Sequence, residues 1–241
     1  MTRTASILFV VVFATSVLIA QTDKPWLEWN MKETTKILND SPWGQTQLET
    51  KQANSESAAI TNTGSSRNMT PRDASKDSPG AITSYIKYYI RLLSAKPVRQ
   101  AIVRKLMLDS PEMDAERQKQ LKSFADATTS DFIVVAVVAE AKDRSMGEEA
   151  LQAFKTATHA SLKDSTYLER HDGQRVPLAD FIAPVADGLG AKFVFPRLLN
   201  NQPFLEPGSG QVKFYSQLSK KIKLEARYKV SDMMYDGRLE Y

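Results

Sequence analysis

Residues Lys221–Val230 read KIKLEARYKV. Ile222, Leu224, Ala226, Tyr228 and Val230 alternate with Lys221, Lys223, Glu225, Arg227 and Lys229. That period of two is the mark of a strand with one face in a core and the other in water. A wet face belongs to an antiparallel sheet, because parallel sheets are covered on both sides. Upstream, QVKFYSQL (211–218) and KFVF (192–195) read as further strands. Asp172–Gly173 lies between Thr166–His171 and Gln174–Leu178, a strong hairpin signal because an Asp-Gly pair accepts the positive φ of a tight turn. FIVVAVVA (132–139) is short, apolar throughout and β-branched, as expected of a strand covered on both sides. ITSYIKYYIRLL (82–93) is a strand by its β-branched and aromatic content. Helical patterns cover Val98–Leu108, Met113–Ala125 and Gly147–Leu162. Strands joined by hairpins, with helices kept apart from them, predict an α+β domain over residues 81–241: a mostly antiparallel sheet with a few packed helices.

Ahead of that domain the composition changes twice. Residues 45–80 are expected to form a flexible linker. From Lys51 to Gly80 there is almost no large apolar side chain to offset the ordering entropy of the chain. Residues 21–44 form a Trp-rich segment holding all three tryptophans of the protein, Trp26, Trp29 and Trp43. Asp23–Asp40 reads as a short helix, with Pro25 in a first turn where its missing N–H costs nothing. Asn39, Ser41, Pro42 and Gly44 stop it.

The first twenty residues carry one charge, Arg3, then the uncharged run ILFVVVFATSVLIA from Ile7 to Ala20. A positive start, an apolar core and a small exit residue predict a secretory signal peptide over residues 1–20, cleaved after about Ala20. The alternative, a retained membrane anchor, needs about 20 apolar residues to span a bilayer. The run falls short of that. The expected setting is therefore periplasmic or secreted, with no membrane span after cleavage.

Without Arg3 the chain has 31 basic and 28 acidic residues. So mild an excess predicts no nucleic-acid partner. Cysteine is absent, which removes disulfides and a lipid-modified cysteine at the cut. Two histidines and no cysteine leave a soft-metal site short of ligands, and no calcium-loop pattern occurs, so neither metal nor cofactor is expected.

DKPWLEWNMKETTKILNDSPWG (23–44), FVFPR (193–197) and KVSDMMYDGRLEY (229–241) resemble a group of exported bacterial proteins that carry no assigned activity. The resemblance implies a bacterial envelope or secreted setting and brings no catalytic residues.

Three sets of residues are candidates for function. Ser84-Tyr85-Ile86-Lys87 matches S-x-x-K, but that pairing needs a helix, whereas a strand points the two side chains to opposite faces. His159 and His171 are too far apart for a relay, so no catalytic residue is assigned. Lys221, Lys223, Arg227 and Lys229 share one strand face, able to hold an anionic ligand or simply to be the solvated side of a sheet. Trp26, Trp29 and Trp43 carry the strongest binding expectation, because each indole gains about 2–3 kcal/mol by leaving water. They either fold back on the domain, insert into a protein partner in the cell envelope as a helix in a groove, or stack on a sugar. The reading that follows is a binding or adaptor module docking through its Trp-rich helix. The alternatives are a hydrolase without a recognisable motif and a purely structural secreted protein.

Overall fold

The computed structural model describes residues 24–52, 82–128 and 131–241. The expected signal peptide and residues 53–80 of the expected linker lie outside the described residues. A single 3-10 turn at Trp26–Glu28 leads to α1 (Met31–Asn39) and β1 (Gly44–Gln52). Then come β2 (Ile82–Leu92), α2 (Lys96–Asp109), α3 (Ala115–Asp126) and β3 (Phe132–Ala141). Helices α4 (Arg144–Thr156) and α5 (His159–Leu162) precede β4 (Thr166–Arg170), β5 (Arg175–Pro177), β6 (Asp180–Ile182) and β7 (Ala191–Pro196). The chain ends with β8 (Leu198–Leu199), β9 (Gln202–Pro203), β10 (Gln211–Gln217), β11 (Lys223–Lys229), β12 (Met234–Tyr235) and β13 (Arg238–Leu239). This is the α+β architecture that the sequence predicts, and every strand pairing is antiparallel.

Two sheets carry the core. The first runs β1-β2-β3-β7-β6 and the second β11-β10-β4-β5. The apolar run 132–139 lies in β3, the middle strand of the first sheet, as its lack of a polar face predicts. Ile86, Tyr88, Ile90 and Leu92 from β2 face inward with Ile133, Val135 and Val137 from β3. Leu224, Ala226 and Tyr228 of β11 point in from the second sheet. Phe214 of β10 meets Phe193 and Phe195 of β7 with ring centroids 5.2 and 6.1 Å apart, so aromatic edges join the two sheets.

Residues 44–52 correct the expected linker boundary. Their sequence, GQTQLETKQ, lacks an apolar alternation and reads as linker, yet it forms a nine-residue edge strand. The reason is tertiary. Gln47 donates from Nε2 to the Lys223 carbonyl at 2.7 Å and accepts from the Glu225 N–H at 2.9 Å. Gln45 makes the same pair of bonds to the N–H and C=O of Arg227. Two side-chain amides thus take the place of a neighbouring strand's backbone along the β11 edge, closing the seam between the sheets where an apolar residue would leave those groups unpaired.

The N-terminal helix begins later than the sequence suggests. Asn30 accepts from the Glu33 N–H at 3.0 Å while Glu33 accepts from the Asn30 N–H at 2.6 Å, a reciprocal cap that starts α1 at Met31 and leaves Pro25 to the 3-10 turn. The expected helix 147–162 is two helices, because Thr158 leaves the first and caps the second through the Ser161 N–H. The Asp172–Gly173 hairpin is present, with Gly173 at φ +83°. No helix among the described residues is long and apolar enough to cross a membrane.

Candidate functional site

The short turn from β2 into α2 builds a polar site walled by side chains from distant parts of the chain. Ala95, at the N-cap of α2, has no side chain to cap the helix, and Pro97 follows in the first turn. The vacancy is filled from the far end of the chain: Glu240 accepts from the Lys96 N–H at 3.0 Å. One turn into the helix, Arg99 is only 3% exposed. Its guanidinium donates to the main-chain carbonyls of Ser94 and Ala127, fastening the end of α3 to the turn before α2. Its Nε–H is buried with no hydrogen-bond acceptor among the described residues. Burial pulls its pKa below the usual arginine value, an effect opposed by Glu240 and Asp126 and reinforced by the like charge of Arg197.

The other walls are equally fixed. Arg197, just past β7, stacks on the Tyr241 ring at 4.2 Å and donates to the Tyr241 main-chain oxygen. Tyr241 in turn donates its hydroxyl to the Leu205 carbonyl at 3.1 Å. The β12–β13 hairpin turns at Asp236 and Gly237, both at positive φ (48° and 73°). Lys96 reaches Asp236 at 3.3 Å. Tyr235 donates to Gln100 at 2.7 Å and Gln100 donates to Asp126 at 3.0 Å, and burial raises the Tyr235 pKa above the usual phenol range. Together these groups enclose a cavity of about 390 Å³, bordered by Lys96, Arg99, Arg197 and Arg238 and by Asp126, Asp236 and Glu240.

The tryptophans support this framework, which corrects the docking expectation. Trp43 is 7% exposed and donates from Nε1 to the Glu240 carbonyl at 2.8 Å, with Tyr235 edge-on at 6.1 Å. Trp29 is 1% exposed, donates to the Lys24 carbonyl at 3.1 Å, and accepts at its own carbonyl from Arg104 of α2 at 2.7 Å. Neither ring has a face left for a partner. Trp26 is half-buried and packs against the same core. The segment 24–44 therefore folds back on the domain, and the indoles find shelter within their own chain.

The basic row is where the sequence places it, on the outer face of the second sheet, with Lys213 of β10 opposite Arg227. Every cation in it has a carboxylate partner. Lys221 pairs with Glu149 at 2.9 Å, Lys223 and Arg227 share Glu225 at 3.3 and 2.7 Å, and Lys229 meets Asp232 at 2.9 Å. Lys213 pairs with Glu169 at 2.6 Å. Every cation of the row is held in an ion pair at a partly exposed surface, although Lys223 and Arg227 share one carboxylate and leave the four-residue row with one positive charge in excess. Tyr167 and Tyr215 stack at 5.1 Å on the same face, but Arg175 covers Tyr167 at 4.1 Å and Lys223 lies 5.8 Å from Tyr215, so their ring faces are occupied.

The motif candidates are engaged structurally. Ser84 donates to Asp143, the N-cap residue of α4, at 3.3 Å. His159 bonds the Leu178 carbonyl at 3.2 Å and His171 the Ser209 carbonyl at 2.6 Å, with His171 packed against Gly210, where a Cβ would clash with the ring. The structure does not bring these three together. Among the described residues no three His, Asp or Glu side chains converge as metal ligands. No protein family, curated protein or solved structure matches the chain.

The cavity residues escaped the sequence reading because an arginine on a helix ordinarily reads as solvated. One signal was present: Asp236–Gly237 is the same dipeptide that marks the Asp172–Gly173 hairpin, and it places Arg238 and Glu240 just beyond a tight turn.

Proposed function

We propose that this protein is an extracytoplasmic binding module whose ligand site is the cavity between the start of α2, the end of α3 and the β12–β13 hairpin. The charge-free run Ile7–Ala20 behind Arg3, and the resemblance to exported bacterial proteins, support the setting. The observation that carries the reading is Arg99. A buried guanidinium whose hydrogen bonds go to neutral carbonyls is costly to keep, and Arg99 borders a cavity of about 390 Å³. The Trp-rich segment serves this site as its scaffold: Trp43 holds the Glu240 carbonyl, and Glu240 caps α2.

The test is thermal unfolding of the mature chain in the presence of a panel of small polar molecules. At least one class raises the midpoint in a concentration-dependent way, because a ligand that binds only the folded state stabilises it by mass action. Replacing Thr128, an exposed residue on the cavity wall, by tryptophan fills the space and abolishes the shift. A panel that leaves the midpoint unmoved, or a shift that survives Thr128→Trp, removes the cavity from consideration.

A further inference from the structure

We propose that the seam between the two sheets is a proton-sensitive clasp, in which ionisation of Glu49 on β1 against Glu149 on α4 loosens the hold of Gln45 and Gln47 on β11.

The clasp is thin. Strand β1 reaches the second sheet through the side chains of Gln45 and Gln47, which bond the main chain of Lys223, Glu225 and Arg227. Glu49 follows them on the same face of β1, since alternate residues of a strand share a face. Its register partner on β2 is Ile86, a buried core residue, so the position belongs to the inner side of the sheet. A half-buried carboxylate thus stands where an apolar side chain would be expected. Its hydrogen bond comes from Gln47 Nε2 at 3.1 Å, the same nitrogen that donates to the Lys223 carbonyl at 2.7 Å. Among the described residues no cation forms an ion pair with Glu49.

The groups around it oppose a negative charge. Burial, then the charges of Glu49 and Glu149, raise the Tyr88 pKa above the phenol range, which puts these three side chains from β1, β2 and α4 within electrostatic reach of one another. Lys221, just ahead of β11, is engaged by Glu149 at 2.9 Å and lies largely in water. Lys223 and Arg227 of β11 pair with Glu225 on the outer face. Burial raises the Glu49 pKa above the usual glutamate value; the bond from Gln47 opposes that, and the charge of Glu149 adds to it.

A carboxyl whose folded pKa is raised contributes stability that is complete below its unfolded value, about 4.3, and is lost as pH rises through the folded value. Opening the seam hydrates Glu49 and parts it from Glu149, so opening becomes easier once Glu49 has lost its proton. The bonds at stake run only along the β11 edge. Their loss frees that edge while the β10–β11 ladder and the ring contacts between β7 and β10 stay in place.

Amide hydrogen exchange of the mature chain, read by NMR and corrected for the intrinsic effect of pH, tests the clasp. Between about pH 5 and about pH 7.5 the Glu225 and Arg227 N–H groups, which bond Gln47 and Gln45, lose protection about threefold or more, while those of β3 keep theirs. Glu49→Gln abolishes the loss. Glu149→Gln, which removes the opposing charge and leaves Glu49 in place, reduces it, and carries the test if the first variant does not fold. Protection at Glu225 and Arg227 that is constant with pH in the parent overturns the clasp. So does a loss that spreads equally to β3, a loss that survives Glu49→Gln, or, where that variant does not fold, a loss unchanged in Glu149→Gln.

Discussion

Two regions of this protein concentrate positive charge, and they handle it in opposite ways. On the outer face of β11 each lysine or arginine lies within 3.3 Å of a carboxylate, in the open, where water and salt weaken the pairing. At the start of α2, Arg99 is buried, bonded to carbonyls, and has no carboxylate in ion-pair contact among the described residues. The first arrangement is the ordinary finish of a sheet surface, and its lysines also discourage pairing with other chains. The second leaves a buried charge with no carboxylate in contact among the described residues, offset only through space by Glu240 and Asp126, beside a cavity. Local density of basic residues in the sequence points to the first region; the incomplete electrostatics lie in the second.

The contrast breaks most visibly at Arg99. Arg99→Met keeps the aliphatic stem of the side chain but removes the donors to the Ser94 and Ala127 carbonyls, and denaturant unfolding should show a loss of about 3 kcal/mol. A loss below about 1 kcal/mol would mean that the buried guanidinium contributes no more than a surface group. On β11, Glu225→Gln removes the partner of two cations, Lys223 and Arg227, yet the same measurement should register less than about 1 kcal/mol. An effect as large as that at Arg99 would erase the distinction between the regions.

The smallest effect is a pH dependence on the outer face of the second sheet. Hydrogen bonds from Lys213, and then from Arg175, hold the Glu169 carboxyl below the usual glutamate range. A carboxyl with a depressed folded pKa contributes stability that is present above its unfolded value, about 4.3, and is lost as pH falls through the lower folded value. Acid unfolding of Glu169→Gln should therefore show a shallower loss of stability below about pH 4.3 than the parent does. Parallel curves for the two proteins would show that the exposed pairs are energetically silent.

Much of the fold is legible residue by residue. The alternation of Ile222, Leu224, Ala226, Tyr228 and Val230 puts all five on the buried side of the chain's last long strand and its end, and the Asp172–Gly173 turn sits where a positive φ is needed. The strand 44–52 was not legible, because its inward residues are Gln45 and Gln47, whose value lies in the unpaired edge of β11, some 180 residues away in the chain. The candidate site was less legible still. The basic row announces itself by period, whereas Lys96, Arg99, Arg197 and Arg238 are spread over 143 positions and share no spacing rule.

By itself, then, the sequence determines the strands, the helices, the fold class and the fact that three indoles must find shelter, because hydrophobic periodicity and burial are local demands that each segment states for itself. Only the tertiary structure decides where the indoles go, which polar strand closes the seam, and which arginine is buried against the main-chain carbonyls of Ser94 and Ala127. Those are properties of pairs distant in sequence, and a hydrogen bond or an unpaired charge exists only once both partners, or the space between them, are in place.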